Sequence, residues 1–122
     1  MAKIRISGTE YDLYMGLWAM EQIENEYGDM KEALAAFRKD RKISMVKFMF
    51  AALANNGRKR AGLKPDISPD VLDGCNLADL EQISLTMKSA MDEAVHVETV
   101  GGGEADEDGT DALAAEYDEK NG

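Results

Sequence analysis

The amino-acid sequence changes character near Thr99, and this boundary limits what the chain can fold into. Up to residue 98, apolar residues recur at regular spacings, whereas Gly101-Gly102-Gly103 leads into a run dominated by Glu, Asp, Ala and Gly. A segment with so few large apolar side chains cannot offset the entropy cost of ordering its backbone. We therefore predict one folded domain over residues 1–98 and a disordered acidic tail over residues 99–122.

Most of the negative charge belongs to the tail. Residues 1–98 hold 13 Lys or Arg against 16 Asp or Glu, whereas residues 99–122 hold one Lys and eight acids, a charge of −7. Repulsion from this tail disfavours direct contact with nucleic acid or an anionic membrane and makes a basic partner easier to bind. A tail that only keeps the protein soluble explains the same composition.

Other features of the composition favour a soluble intracellular protein. The lone Cys75 cannot form an intramolecular disulfide, which favours a reducing compartment. The N-terminus alternates in polarity and lacks the continuous apolar stretch of a signal peptide. No run approaches the roughly 20 apolar residues that are needed to span a bilayer.

The first 15 residues predict a β-hairpin. Ile4 and Ile6 alternate with polar residues, Ser7-Gly8-Thr9-Glu10 supplies a turn, and Tyr11, Leu13 and Met15 alternate again. Because a lone hairpin is marginally stable in water, its apolar face needs a helical layer to pack against.

Helical spacing begins at Gly16 and continues to the end of the domain. Expected helix starts are Gly16, Asp29, Ser44, Ser68-Pro69 and Asn76, and the first helix should stop at Gly28. The third helix is apolar on nearly all sides, so it should be central, ending around Asn55-Asn56-Gly57 or one turn later. The last helix should run to about His96. The fold class is α+β, mainly α, with a hairpin followed by four or five helices.

No catalytic, metal or cofactor site stands out. His96 is the only histidine, and Cys75 precedes a helix start, so a Cys75–His96 nucleophile pair is the one enzymatic alternative. Gly101-Gly102-Gly103 lacks the Gly-Lys-Ser/Thr ending of a phosphate loop. The alternating acids Glu104, Asp106 and Asp108 lack the distant bidentate Glu of a calcium loop. We expect a protein that is not an enzyme and has no cofactor.

Two residue sets could bind partners. One set is the basic cluster Arg58-Lys59-Arg60 with Lys64, which could hold an acidic partner or the protein's own tail, or could be a solvated helix end. No aromatic residues interleave with this cluster, so binding of nucleic acid is weakly supported. The apolar stripes are rich in Met, which suits grooves that accept varied segments. The candidates for partner binding are Trp18, Met20, Phe48, Met49, Met87 and Met91.

The order of these elements resembles a known family. Lys3–Leu13 leads directly into Gly16–Glu24, and Ala33–Phe37 and Phe50–Leu53 follow. This combination, which covers about residues 3–98, resembles the tail assembly chaperones of long-tailed bacteriophages, prophages and related gene-transfer particles. No single piece of it is diagnostic, and the tail matches no motif of the family.

The resemblance implies a non-enzymatic role in the cytoplasm of a bacterial host. Such chaperones assist the tape measure protein, a long apolar helical chain, until tail tube subunits polymerise around it, and they are absent from the finished virion. Tape measure protein, tail tube protein and further copies of the chain are thus the implied partners. Family members are often also made in a longer form by a −1 ribosomal frameshift. The codons of Glu119-Lys120-Asn121 are a candidate site, and a G-rich stretch that encodes Gly101-Gly102-Gly103 is an alternative that would discard more of the tail.

A different class of function fits the same charge distribution. A small acidic regulatory or interaction protein of a prophage, whose tail mimics nucleic acid, would also carry a nearly balanced body and an acidic end. Competition with DNA for a basic partner distinguishes this alternative from a chaperone.

Overall fold

A computed structural model describes residues 2–95, and it confirms the predicted class: an N-terminal antiparallel β-hairpin is followed by four α-helices. The elements are β1 (Ala2–Ile6), β2 (Thr9–Leu13), α1 (Leu17–Tyr27), α2 (Met30–Lys39), α3 (Ile43–Arg60), a short 3₁₀ helix (Pro69–Leu72) and α4 (Leu77–Ala94). The predicted disordered tail and His96 lie outside the described residues. Within the described part, no helix is both long and apolar enough to cross a membrane.

The predicted hairpin forms, but Thr9 and Glu10, which were expected in the turn, belong to β2. Ala2 pairs with Leu13 and Ile6 with Thr9, so the connection has only two residues, Ser7 and Gly8. Both have positive φ angles, 50° and 83°, which is the backbone of a turn whose twist matches that of the flanking strands. The pairing places the buried side chains of Ala2, Ile6 and Leu13 on the face that packs against the helices.

Local capping signals locate most helix ends correctly. α1 ends at Tyr27, directly before Gly28, and the Asp29 side chain accepts a hydrogen bond from the Glu32 amide at the start of α2, at 2.9 Å. At the start of α4, Asn76 and Asp79 bond each other's backbone amides in a capping box. The Ser68 side chain caps the 3₁₀ helix, whose first residue is Pro69.

Helix α3 departs from the prediction at its N-terminal end. At its C-terminal end, it decides between the two predicted helix ends. It begins at Ile43 without a side-chain cap, so the predicted Ser44 cap is wrong: Ser44 already lies inside the first turn. At the other end, α3 continues through Asn55-Asn56-Gly57 to Arg60. The helix continues because all three of these residues are buried against other elements, where their ordinary helix-ending tendency is overridden.

As predicted, α3 is the central element of the core. It packs against α1, β2, the 3₁₀ helix and α4. Phe50 is fully buried and meets the Tyr11 ring edge-on, with ring centroids 5.3 Å apart. The largest fully buried side chains are Leu13, Ile23, Val46, Met49, Phe50, Leu53, Ile83 and Met87.

Candidate protein-interaction surfaces

The structure divides the six predicted partner-binding residues into two groups. Met49 and Met87 are 0% exposed and Met91 is 9% exposed, and all three belong to the core. Their assignment to a partner surface is therefore corrected, because the apolar stripes that carry them face the domain's own interior. Trp18, Met20 and Phe48 are half-buried and keep some surface, so their role in partner binding stays a prediction.

Phe48 uses part of its ring internally. It meets the ring of Tyr27 edge-on, with centroids 5.5 Å apart and planes at 84°. Burial, and secondarily the nearby carboxylate of Glu26, raises the pKa of Tyr27. This contact joins the end of α1 to the first half of α3 and does not assemble the six predicted residues into one site.

An apolar groove lies where α3 and α4 begin, and sequence analysis did not find it. Its volume is about 360 Å³. Two of its apolar side chains are strongly exposed, Ile43 at 62% and Leu77 at 76%. The groove is lined by Ile43, Lys47, Leu72, Asp73, Cys75, Asn76, Leu77 and Leu80. Exposed apolar side chains gathered at a concave surface are typical of a site that binds another apolar segment.

Charged side chains border the groove on one side. The ammonium group of Lys47 pairs with the carboxylate of Asp73 and lies 3.8 Å from that of Asp70. Hydrogen bonding to Asp73 is the main cause that raises the pKa of Lys47. Both carboxylates are mostly exposed, so this ion pair fixes the 3₁₀ helix against α3 only weakly.

Cys75 lies in the groove but has the wrong electrostatics for an activated nucleophile. Partial burial, and then the carboxylate of Asp79, raises the pKa of its thiol. A catalytic cysteine normally shows the opposite shift, because the thiolate is the reactive form. The proposed partner His96 lies outside the described residues.

The second notable region is the run Asn55–Arg60 at the C-terminal end of α3. The Asn56 side-chain oxygen accepts hydrogen bonds from the amides of Gly16 and Ala19, both at 3.0 Å. The Ala19 amide is one that an N-cap side chain would satisfy, and Gly16, the N-cap residue of α1, has no side chain to do so. The Gly16 amide is the one that the third helical residue satisfies in a capping box. Asn56 therefore caps α1 from a position 40 residues away along the chain.

Asn55 and Gly57, the neighbours of Asn56, contact two more segments: the connection after α3 and strand β2. The Asn55 amide donates to the Ile67 carbonyl at 2.9 Å and its oxygen accepts from the Ile67 amide at 2.8 Å, which fixes the connection after α3. At Gly57 the backbone of β2 passes so close that a Cβ would lie 3.0 Å from the carbonyl carbon of Asp12 and nearer still to its oxygen. Only glycine lets α3 and β2 approach this closely.

The three basic residues that follow also have partners within the domain. The Arg58 side chain donates to the Lys64 carbonyl and lies 3.5 Å from the Asp66 carboxylate. Lys59 lies over the Trp18 ring at 5.4 Å, and the Arg60 guanidinium lies over the Tyr14 ring at 4.0 Å. We call Tyr14, Trp18, Lys59 and Arg60 the basic-aromatic surface.

The basic-aromatic surface could not be found by searching for interleaved aromatic residues in sequence. Its two cations come from α3, whereas its two rings come from the segment around the start of α1. Asn56, Lys59 and Arg60 are spaced at i, i+3 and i+4, so they share one face of α3. The Asn56 cap that docks α1 on this face also brings Trp18 opposite Lys59.

Comparison with known proteins adds no assignment. No protein-family model and no curated protein matches the sequence, and no solved structure matches the fold. Among residues 2–95, no three His, Cys, Asp or Glu side chains lie close enough together to hold a metal ion. The geometry defines two notable surfaces on the described part of the chain, the apolar groove and the basic-aromatic surface.

Proposed function

We propose that this protein is a tail assembly chaperone of the long-tailed bacteriophage type, which binds an apolar helical segment of the tape measure protein and keeps it soluble. The observation that supports this proposal is the apolar groove, in which Ile43 and Leu77 expose 62% and 76% of their surface. The function is reversible binding, so it requires no catalytic group.

The groove suits a helical client. An amphipathic helix binds such a surface by inserting apolar side chains spaced at i, i+3, i+4 and i+7. Full burial of an exposed Ile or Leu contributes about 1.5–3 kcal/mol, and association itself costs several kcal/mol. Two such side chains with the groove floor would therefore give moderate affinity, which fits a chaperone that must release its client when tube subunits arrive.

The remaining partners follow from the resemblance. In this proposal the protein acts in the bacterial cytoplasm, contacts the tail tube protein during assembly, and is absent from the finished virion. A longer product of a −1 frameshift near Glu119-Lys120-Asn121 would carry the same domain fused to a further segment. The gene sequence decides that point, because a slippery A-AAA-AAC heptamer requires GAA-AAA-AAC codons there.

Co-expression with the tape measure protein encoded downstream tests the function. The full chain should increase the soluble fraction of this client and co-purify with it. A double variant, Ile43→Asp with Leu77→Asp, should reduce the co-purified client at least tenfold, a loss of about 1.4 kcal/mol or more.

The matched control is Leu85→Asp, since Leu85 lies on α4 and is 61% exposed but does not line the groove. This variant should bind the client as the unmodified chain does. An unchanged client solubility with no complex would contradict the function. Equal losses in the control and the double variant would contradict the groove as the binding site.

The tail's charge of −7 favours a second candidate, an acidic prophage protein that mimics nucleic acid to occupy a basic partner. In that case DNA should displace the chain from its partner, and the double groove variant should bind as well as the unmodified chain. Neither outcome is expected of the chaperone.

A further inference from the structure

We propose that the basic-aromatic surface is a docking site for the acidic segment 104–119 of the same chain. The occupant is the protein's own C-terminal region, and the interaction is electrostatic and intramolecular. This proposal is independent of the apolar groove, which lies at the other end of α3.

Charge complementarity supports this choice of occupant. Lys3, Lys47 and Arg58 each have a carboxylate partner within the domain. Among residues 2–95, no carboxylate forms an ion pair with Lys59 or Arg60; each instead lies over an aromatic ring. The chain itself supplies the missing anions, because eight of its 24 acids lie between Glu104 and Glu119.

The surface is arranged to receive carboxylates. The Arg60 guanidinium lies 4.0 Å from the Tyr14 ring centroid, and it has N–H groups that can donate to a carboxylate. Contact with a ring restricts the rotamers of Lys59 and Arg60 in advance, so less side-chain entropy is lost when an anion binds.

Exposed apolar side chains that are close in sequence to the surface match apolar residues in the tail. Leu17, next to Trp18, is 82% exposed, and Leu63, three residues after Arg60, is 52% exposed. Within the acidic segment, Leu113 and Tyr117 are the two large apolar side chains. A segment that presents acids and these two side chains together can satisfy both parts of the surface.

The connecting chain is long enough. Extended chain covers about 3.3 Å per residue, so the nine residues from Val95 to Glu104 reach about 30 Å. A domain of this size has a radius of gyration of about 12 Å. Tethering makes the effective concentration of the acidic segment at the surface about millimolar, so weak charge pairs suffice for occupancy.

The sole tryptophan provides a direct test on the full chain, because Trp18 belongs to the surface. The probe is a nitroxide attached at Ala112→Cys in a Cys75→Ser background, and the readout is the NMR peak of the Trp18 indole N–H. At about 20 mM salt the label should lower this peak at least twofold relative to the reduced label. At about 500 mM salt, where the Debye length falls below about 5 Å, the peak should recover.

Two charge-reversed variants test the site. Lys59→Glu with Arg60→Glu should abolish the broadening, whereas Lys39→Glu with Lys42→Glu, at exposed positions around the α2–α3 connection, should reduce it by less than half. Absence of broadening in the unmodified surface, or equal loss in both variants, would overturn the proposal. Broadening that increases with protein concentration would show contact with a second copy and would also overturn it.

Discussion

The two ends of α3 use the same helix in opposite ways. At the C-terminal end, each of the six residues Asn55–Arg60 meets a partner from another segment. At the N-terminal end, the helix begins without a side-chain cap and exposes Ile43 beside an apolar groove. The C-terminal end therefore holds other segments of the domain in place, whereas the N-terminal end leaves apolar surface exposed.

The two ends should differ in how much the free energy of unfolding falls when their side chains are substituted. The side chains of Asn55 and Asn56 are buried, so a hydrogen bond lost there leaves a donor or acceptor with little access to water. Exposed apolar side chains at the N-terminal end contribute little to folding, because they remain in contact with water in the folded state. Stability measurements at the two ends can therefore break or sharpen this comparison.

Substitution of Asn56 by Ala should have the largest effect. It leaves the amides of Gly16 and Ala19 without an acceptor, and Ala19 is 0% exposed. At about 1–3 kcal/mol for an unsatisfied buried group, partly relieved by water at Gly16, the free energy of unfolding should fall by about 2–4 kcal/mol. Urea denaturation followed by circular dichroism measures the change.

The control for this variant is Asn76→Ala, which removes an exposed cap at the start of α4. Water can replace that cap, so the expected loss is only about 1 kcal/mol. Equal losses at the two positions would show that burial does not distinguish the caps.

Residues whose role depends on sequence neighbours were predictable. Asp29, Ser68 and Asn76 cap helices through amides two or three residues away, and alternation over the first 15 residues predicts the hairpin, although its turn is two residues shorter than expected. Asn56 was not predictable as a cap, because the amides that it caps lie 37 and 40 residues away along the chain. In addition, a sequence such as Asn55-Asn56-Gly57 commonly ends a helix.

The candidate sites were less predictable than the fold. A stripe of Met and Leu shows that a helix has an apolar face, but it does not show whether another part of the same chain covers that face. Met49 and Met87 are covered, whereas Leu77, which lies on the same helix as Met87, is exposed at the groove. Only the packing of the 3₁₀ helix and the start of α4 against α3 distinguishes these cases.

Gly57→Ala should have the next largest effect. The added methyl group meets the backbone of Asp12, which cannot rotate away, so β2 must move from α3. Overpacking of this kind costs about 1–3 kcal/mol in the free energy of unfolding. Gly74→Ala is the matched control, because nothing lies within 4 Å of a Cβ there, and its stability should change by less than about 0.5 kcal/mol.

At the N-terminal end of α3, the Lys47–Asp73 ion pair should give a smaller, pH-dependent effect. Because the pKa of Lys47 is raised in the folded state, its contribution is present below the unfolded pKa of about 10.4 and is lost as pH rises through the folded pKa. Lys47→Met should therefore make the decrease in stability between about pH 9.5 and pH 11.5 less steep.

Lys88→Met on the exposed side of α4 is the control for titration of lysines in general. Urea midpoints measured across this pH range should separate the two variants. The same pH dependence of the urea midpoint in both variants would show that the ion pair does not stabilise the start of α3.

The smallest effect on stability is expected where the effect on binding should be largest. Ile43→Ser and Leu77→Ser replace side chains that are 62% and 76% exposed, so each should change the free energy of unfolding by less than about 0.5 kcal/mol. Phe50→Ser, at a fully buried position of the same helix as Ile43, should cost several kcal/mol and serves as the contrast. A large loss at Ile43 or Leu77 would mean that the groove is part of the domain's own core. A groove that tolerates both serines is instead one whose apolar surface the fold does not need, which is what a binding site for another chain requires.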